Sequence, residues 1–441
     1  MSFPRYPKYK ASGVKWLGDV PEHWEILQSR RVFSLRTERA RTDDEQLTAS
    51  QKHGVIPQKL FMELEDQRVV QVLLNAEILK HVEPGDFVIS MRSFQGGIEY
   101  ATHGGCISSA YVMLIPSAMV RGGFFKYLFK SLTYIQALQS TTNLVRDGQA
   151  LRFQNFSLVP LPHVPPDEQT KIASFLDRET SKIDGLVGGQ RRLMELLKEK
   201  RQAVISHAVT KGLNPHAPLK PSGIEWLGDV PEHWEVKPMR MIASVVRGAS
   251  PRPAGDPLYF GGDAVPWVTV AEITKDDLVD LTDTEMFLTE EGAKNSKLFA
   301  KGTVIYSNSG ATLGVPKILQ IDACANDGVV AFEKLSREVH PQFLYHYLAS
   351  ITDAIREKVK QGSGQPNLNT DIVKALRFGL PPMDEQERIV EHIAKLAEQF
   401  GSLTAEAERG IELLQERRTA LISAAVTGQI DVRGFAPQET T

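Results

Sequence analysis

The chain has 441 residues, enough for two or three domains with cores of their own. Its composition, 42% hydrophobic and 24% charged, excludes collagen-like, mainly disordered and single-helix proteins. The net charge of −3 does not advertise nucleic-acid binding, although local cation clusters rather than totals set phosphate affinity.

No apolar run reaches the roughly eighteen residues that a membrane span needs, and residues 1–6 lack the apolar core of a signal peptide. Cys106 and Cys324 have no close partner and no zinc-ligand spacing. A cytoplasmic protein with reduced thiols, no metal and no membrane contact is expected. Positive charge does bunch: Arg30, Arg31, Arg36, Arg39 and Arg41 fall in one stretch, and Arg356, Lys358 and Lys360 in another. Taken singly, each cluster reads as a solvated face.

In chain order, residues 1–25 carry Ser12-Gly13-Val14-Lys15-Trp16-Leu17-Gly18-Asp19-Val20-Pro21-Glu22-His23-Trp24-Glu25. The motif returns in residues 213–235, from Ser222 to Glu235, with only positions 224 and 225 changed. Such internal repetition is the strongest signal in the sequence. After each copy comes a variable region, residues 26–160 and 236–380. Both mix short β-like runs with turns: 85–90 and 110–115 in the first, 302–307 and 328–332 in the second. An amphipathic helix follows in each, over 124–139 and 343–360, and then a Gly-Gln loop, Asp147-Gly148-Gln149 and Ser363-Gly364-Gln365. The order of elements matches while the side chains do not, which implies one α+β fold used twice with different surfaces.

Residues 161–212 and 381–430 repeat as well, and residues 431–441 form a tail. Asp167-Glu168-Gln169 returns as Asp384-Glu385-Gln386, and 203–210 returns as 420–427, both at an offset of 217. A block that admits no insertion is read as one long helix. Pro165-Pro166 and Pro381-Pro382 precede the two helices and Gly212 and Gly428 follow them, as helix start and stop signals should. The acids sit in the first turn, where the helix dipole favours them. Steps of four and three mark a seam through Ile172, Leu176, Glu179, Ile183, Leu186, Gln190, Leu193, Leu197, Lys200, Val204 and His207. Its counterpart runs through Ile389, Ile393, Leu396, Phe400, Leu403, Ala407, Gly410, Leu414, Arg417, Leu421 and Ala424. The expected fold class is α+β: two α+β domains joined by two long antiparallel helices, an intramolecular coiled coil, with a pseudo-twofold internal repeat. The alternative is two separate helices, each packed on its own domain. Gly188-Gly189, Gly401 and Gly410 are places where either helix can bend. Lys200 and Arg417 occupy one seam position in both copies, either specifying register or snorkelling outward.

The duplicated Trp-Leu-Gly-Asp-Val-Pro-Glu-His-Trp motif and the Pro-Pro…Asp-Glu-Gln helix starts carry a family resemblance. So do Glu199-Lys200-Arg201, Glu416-Arg417-Arg418 and Gly364-Gln365-Pro366-Asn367-Leu368, with Gly148-Gln149-Ala150-Leu151-Arg152 a looser match. Over nearly its full length the chain resembles the specificity subunits of type I restriction–modification systems. That resemblance implies two target recognition domains, each reading half of a bipartite double-stranded DNA site. It also implies two modification subunits, which bring S-adenosylmethionine and methylate adenine, and restriction subunits, which bring ATP and Mg. No cofactor is expected in this chain. Neither an adenine-methyltransferase Asn/Asp-Pro-Pro-aromatic motif nor a phosphate-binding P-loop is present, so a non-catalytic chain is expected. Competing readings are a structural adaptor, an orphan methylation-only specificity subunit without a nuclease, and the specificity half of a fused enzyme.

Within the variable regions the candidate DNA contacts are Arg36, Arg39, Arg41, Arg92, Arg146, Gln149 and Arg152, then Arg247, Arg252, Lys294, Ser307, Asn308, Lys317, Gln365 and Asn367. Arg is the commonest reader of guanine, Lys more often holds phosphate, and Gln and Asn pair with adenine. Gln149 and Gln365 occur in both copies and equally suit a loop-shaping role. Trp16, Trp24, Trp226 and Trp234 are assigned to structure or subunit binding, because identical aromatics cannot read different half-sites.

Overall fold

The computed structural model describes residues 3–68, 78–141, 151–225, 227–310, 312–360 and 368–435. They fall into two compact units, Met1–Arg191 with Glu408–Thr441, and Arg192–Ala407.

The central sheet of the first unit contains β1 (Phe33–Arg36), β2 (Phe87–Ile89), β3 (Glu99–Tyr100) and β4 (Val112–Pro116). Its order is β1-β4-β2-β3, antiparallel throughout. Side chains on a strand alternate between faces, so the sheet builds two cores. Phe33, Phe87, Ile89 and Leu114 enter the larger one with Ile172, Phe175 and Leu176. Val88 and Met113 enter a smaller one with Leu47, Val55, Val82 and Ile107.

The second unit repeats this plan with β5 (Ser244–Arg247), β6 (Asp280–Leu281), β7 (Val304–Ser307), β8 (Pro316–Leu319) and β9 (Val329–Glu333). The order is β5-β9-β7-β8-β6, with only the β6–β8 pair parallel. Val245, Val304, Tyr306, Val330 and Phe332 face one core, while Ile305, Leu319, Val329 and Ala331 face another. Each amphipathic stretch expected as one helix is two. The first forms Gly122–Leu128 and Leu132–Gln139, broken at Ser131, whose extended backbone lets its hydroxyl bond the Leu128 carbonyl at 2.7 Å. The second forms Pro341–Ser350 and Thr352–Lys360.

The two repeated blocks are long helices, α1 (Pro166–Lys211, 46 residues) and α2 (Met383–Val426, 44 residues). Neither is broken at its internal glycines. Both stop at a glycine with left-handed backbone, Gly212 (φ 74°) and Gly428 (φ 75°). In the first unit the start of α1 lies antiparallel to the end of α2: Ile172 and Leu176 share a core with Leu421 and Ala425, and Arg418 bonds Asp184 at 3.0 Å. In the second unit the end of α1 lies antiparallel to the start of α2, with Ile205, Ala208 and Val209 beside Ile389 and Ile393.

The seam departs from the expected heptad positions towards the C-terminus of each helix. Ile205 and Ala208 are buried in place of Val204 and His207, and Ala425 in place of Ala424. A straight helix drifts about 20° per heptad against a 3.5-residue repeat. Over the roughly four and a half heptads from Ile172 to Val204 that accumulates to about 90°, close to the ~100° between successive residues. One position of slip is therefore the expected result of untwisted helices. Leu186, Leu193 and Leu403 are exposed, as are Lys200 and Arg417, whose charges reach outward.

Candidate nucleic-acid interface

Each unit anchors its sheet to a helix start through the Asp-Glu-Gln motif. Glu168 is buried and accepts hydrogen bonds from Trp24 Nε1 at 3.0 Å and the Tyr6 hydroxyl at 2.7 Å, with His23 Nε2 at 2.7 Å. Burial first, and then the Glu168 carboxylate, hold the Tyr6 phenol well above its ordinary pKa. In the second unit Glu385 meets Trp234 Nε1 at 3.2 Å and His233 Nε2 at 2.7 Å. Each indole also lies under the glycine ending the other helix. A Cβ on Gly428 would come within 3.1 Å of Trp24 Cη2, and one on Gly212 within 3.4 Å of Trp234 Cζ2. The repeated motif is thus a wedge between one helix start and the other helix end.

The adjacent glutamine ties the frame to the sheet. Gln169 donates to the carbonyls of Met119 and Val164 and accepts from the Arg121 amide. Gln386 donates to the carbonyls of Glu338 and Pro381 and accepts from the His340 amide. Met119 and Arg121 follow β4, and Glu338 and His340 follow β9. One end of each central sheet is therefore fixed to the helices, and the other end is distal to them.

The distal ends differ. The segments 85–93 and 302–310 correspond at the same offset of 217, so Met91 and Arg92 stand where the second unit has Asn308 and Ser309. Met91 is exposed (61%), as is Arg92, whereas Asn308 is fully buried. Both side-chain polar atoms of Asn308 lack a hydrogen-bond partner. Its backbone is held on both sides, the amide donating to Gly328 O and the carbonyl accepting from Leu368 N. The distal end of β5 carries Arg247, and the turn entering β9 carries Asp327. Arg247 Nε donates to the Asp327 carbonyl at 2.5 Å, and Arg252 Nη2 reaches Asp327 Oδ2 at 3.5 Å. Ser250 Oγ donates to Asp327 Oδ1 at 2.8 Å, the largest of the influences that lower the Asp327 pKa.

Other candidates are committed to the protein itself. Arg36 makes bonds of 2.6 and 3.0 Å to buried Asp86 and one of 2.9 Å to Glu38. Lys317 is buried and bonds Asp276 Oδ1 at 2.5 Å and the Leu278 carbonyl. The Ser307 hydroxyl is buried between Thr312 O and Val315 N. Burial takes Lys317 and Ser307 away from the surface, while the partly buried Arg36 spends its guanidinium on Asp86 and Glu38. Arg41 pairs with Glu38 and Glu83, and Lys294 with Glu291, all at the surface. Arg39 and Arg152 are exposed. Arg146, Gln149, Gln365, Asn367 and Trp226 lie outside the described residues. Trp24 and Trp234 are fully buried, and Trp16 packs edge-on against Tyr134 at 5.5 Å. Sequence reasoning missed Glu168, Gln169 and Asp327. For the first two the signal was present, since hydrogen-bonding residues repeated together with Trp and His have to satisfy one another.

The family model for the type I restriction modification DNA specificity domain matches residues 231–413. The MjaVIII specificity subunit of Methanocaldococcus jannaschii is 22% identical, over 94% of this chain and 95% of the relative. The EcoKI specificity subunit of Escherichia coli is 21% identical, over 79% of this chain and 75% of the relative. Residues 231–413 thus carry a type I restriction–modification DNA specificity domain, and nearly the whole chain is similar to specificity subunits. The fold agrees: a chain from a solved type I R-M system superposes with a TM-score of 0.61 at 17% identity, covering 92% of this chain and 98% of that chain. The HsdS subunit of Thermoanaerobacter tengcongensis superposes with a TM-score of 0.51 at 16% identity, over 93% and 98%. Among the described residues no helix is long and apolar enough to cross a membrane, and no cluster of metal-ligating side chains occurs.

Proposed function

We propose that this subunit is a non-catalytic reader of double-stranded DNA. Each unit recognises one half of a bipartite target, and partner subunits carry out adenine methylation and restriction there. The observation that carries the reading is the contrast within each unit. The frame end of the sheet is held by the same Glu and Gln contacts in both, while the distal end differs residue by residue. A shared frame with divergent loops is how one fold presents two specificities. Two modification subunits supply S-adenosylmethionine, and restriction subunits supply ATP and Mg. The reading is tested by binding the assembled modification complex to duplex libraries at several salt concentrations, with methylation mapped on the same DNA. Affinity should fall steeply with salt, as phosphate neutralisation requires, and methylated adenines should sit in two separated half-sites. Binding that is flat in salt, or methylation without a split target, would favour a structural adaptor.

A further inference from the structure

At the distal end of the second unit's sheet, Arg247 stands out by how it is held. Its Nε is spent on the Asp327 carbonyl, while Nη1 and Nη2 make no hydrogen bond among the described residues. The hold is rigid on both sides. Gly248 packs so tightly that a Cβ there would lie 2.2 Å from Asn326 O, which fixes the backbone beside Arg247. Asp327 is itself fixed, because its side chain accepts from Ser250 and its amide donates back to Ser250 Oγ at 3.3 Å. A guanidinium anchored at Nε presents two parallel N–H vectors from Nη1 and Nη2, the fork that matches O6 and N7 of guanine in the major groove. A phosphate-seeking cation needs no such orientation.

A second observation lies on the same end, across β9 from β5. Asn308 is buried with its amide unpartnered, beside Gly328 of the turn that carries Asp327. Buried amides are nearly always paired, so this end has hydrogen-bonding capacity that the protein leaves unused. The neighbouring Arg252 is different: its side chain is 69% exposed and its one polar contact among the described residues, to Asp327, is long. That is the disposition of a phosphate contact.

We infer that Arg247 reads a guanine in the half-site of the second unit, with Asp327 as its positioning residue and Arg252 on the adjoining phosphate backbone. The inference rests on the DNA-reading function proposed above and names the residue that reads. The test uses the assembled complex and a duplex library randomised through both half-sites, comparing wild type with Arg247→Lys, Arg247→Ala and Arg252→Ala. Arg247→Lys keeps the charge and loses the fork. Preference for G·C should fall roughly tenfold to a hundredfold at one position of one half-site, with the other half-site read as before. That untouched half-site also reports that the variant is folded and assembled. Arg252→Ala should weaken all sequences alike and reduce the salt slope by about one. Unaltered preference at every position in both Arg247 variants, or uniform weakening without relaxation at one position, would overturn the assignment. A wild-type complex that shows no sequence preference would instead remove the functional reading itself.

Discussion

Among the described residues Glu168 takes three neighbours on one buried carboxylate, Tyr6, His23 and Trp24, whereas Glu385 takes two, His233 and Trp234. The difference has a local origin. Arg433 stacks over the Tyr6 ring at 4.7 Å and pairs with Asp431, whose amide donates to the Pro4 carbonyl, so residues 4–6 and 431–433 meet beside Glu168. In the second unit the corresponding stretch after Gly212 runs on covalently into the next motif, and His216 at the Tyr6 position is exposed. Removing a carboxylate strands every buried donor it served, at about 1–3 kcal/mol for each. Glu168→Ala should therefore cost about 2–4 kcal/mol and Glu385→Ala measurably less. Chemical denaturation of both variants checks this, and equal losses would show that the Tyr6 contact contributes nothing. Spacing alone named neither carboxylate's partners, because they lie some 144–162 residues away in sequence. First-turn acids already have a sufficient local explanation in the helix dipole.

Along the two long helices, glycine means opposite things at different places. Gly188 and Gly189 are exposed inside α1, and a Cβ on either would meet nothing within 4 Å. Gly428 has left-handed backbone, and a Cβ there would lie 2.4 Å from Pro21 Cδ. Gly188→Ala and Gly189→Ala should each raise stability by about 0.5–1 kcal/mol, since alanine loses less freedom in a helix. Gly428→Ala should lower it by about 1–3 kcal/mol, through both strain and the clash with the wedge. Thermal melts of the three variants decide the matter, and a neutral Gly428→Ala would mean that the wedge yields easily. Helix ends, strand runs and the unbroken offset were legible because each has a local signature. The exposed Leu186, Leu193 and Leu403 were not: heptad counting assumes a supercoil, and no local signature says how far two real helices stay wound together.

For the whole molecule, what decides modularity is where the chain enters and leaves each variable region. In the first unit Glu25–Leu27 pairs antiparallel with Leu161–His163, with Leu27 opposite Leu161. In the second, Glu235–Pro238 pairs with Arg377–Leu380. Entry and exit are thus stitched side by side, next to the Trp–Glu wedge, and each variable region is joined to its frame by that strand pair, by the Gln contacts and by a shared apolar core. A reader mounted this way is replaceable, because a substitute needs two adjacent chain ends, the contacts to Gln169 or Gln386 and an apolar face for the helices to pack on. These contacts go to backbone atoms, so they constrain the substitute's path and not its sequence. Exchanging residues 28–160 for the matching region of another specificity subunit should therefore change one half-site of the methylated target. The other half-site should stay the same, as read by methylation-aware sequencing of DNA modified by the assembled complex. Two altered half-sites would mean that the distal surfaces are not independent, and the equivalence of the two stitched strand pairs would then be a matter of folding alone. The swap also separates frame from reader energetically. If the chimera melts near the parent temperature while its target changes, then the Glu and Gln contacts carry the stability and the distal loops carry the specificity.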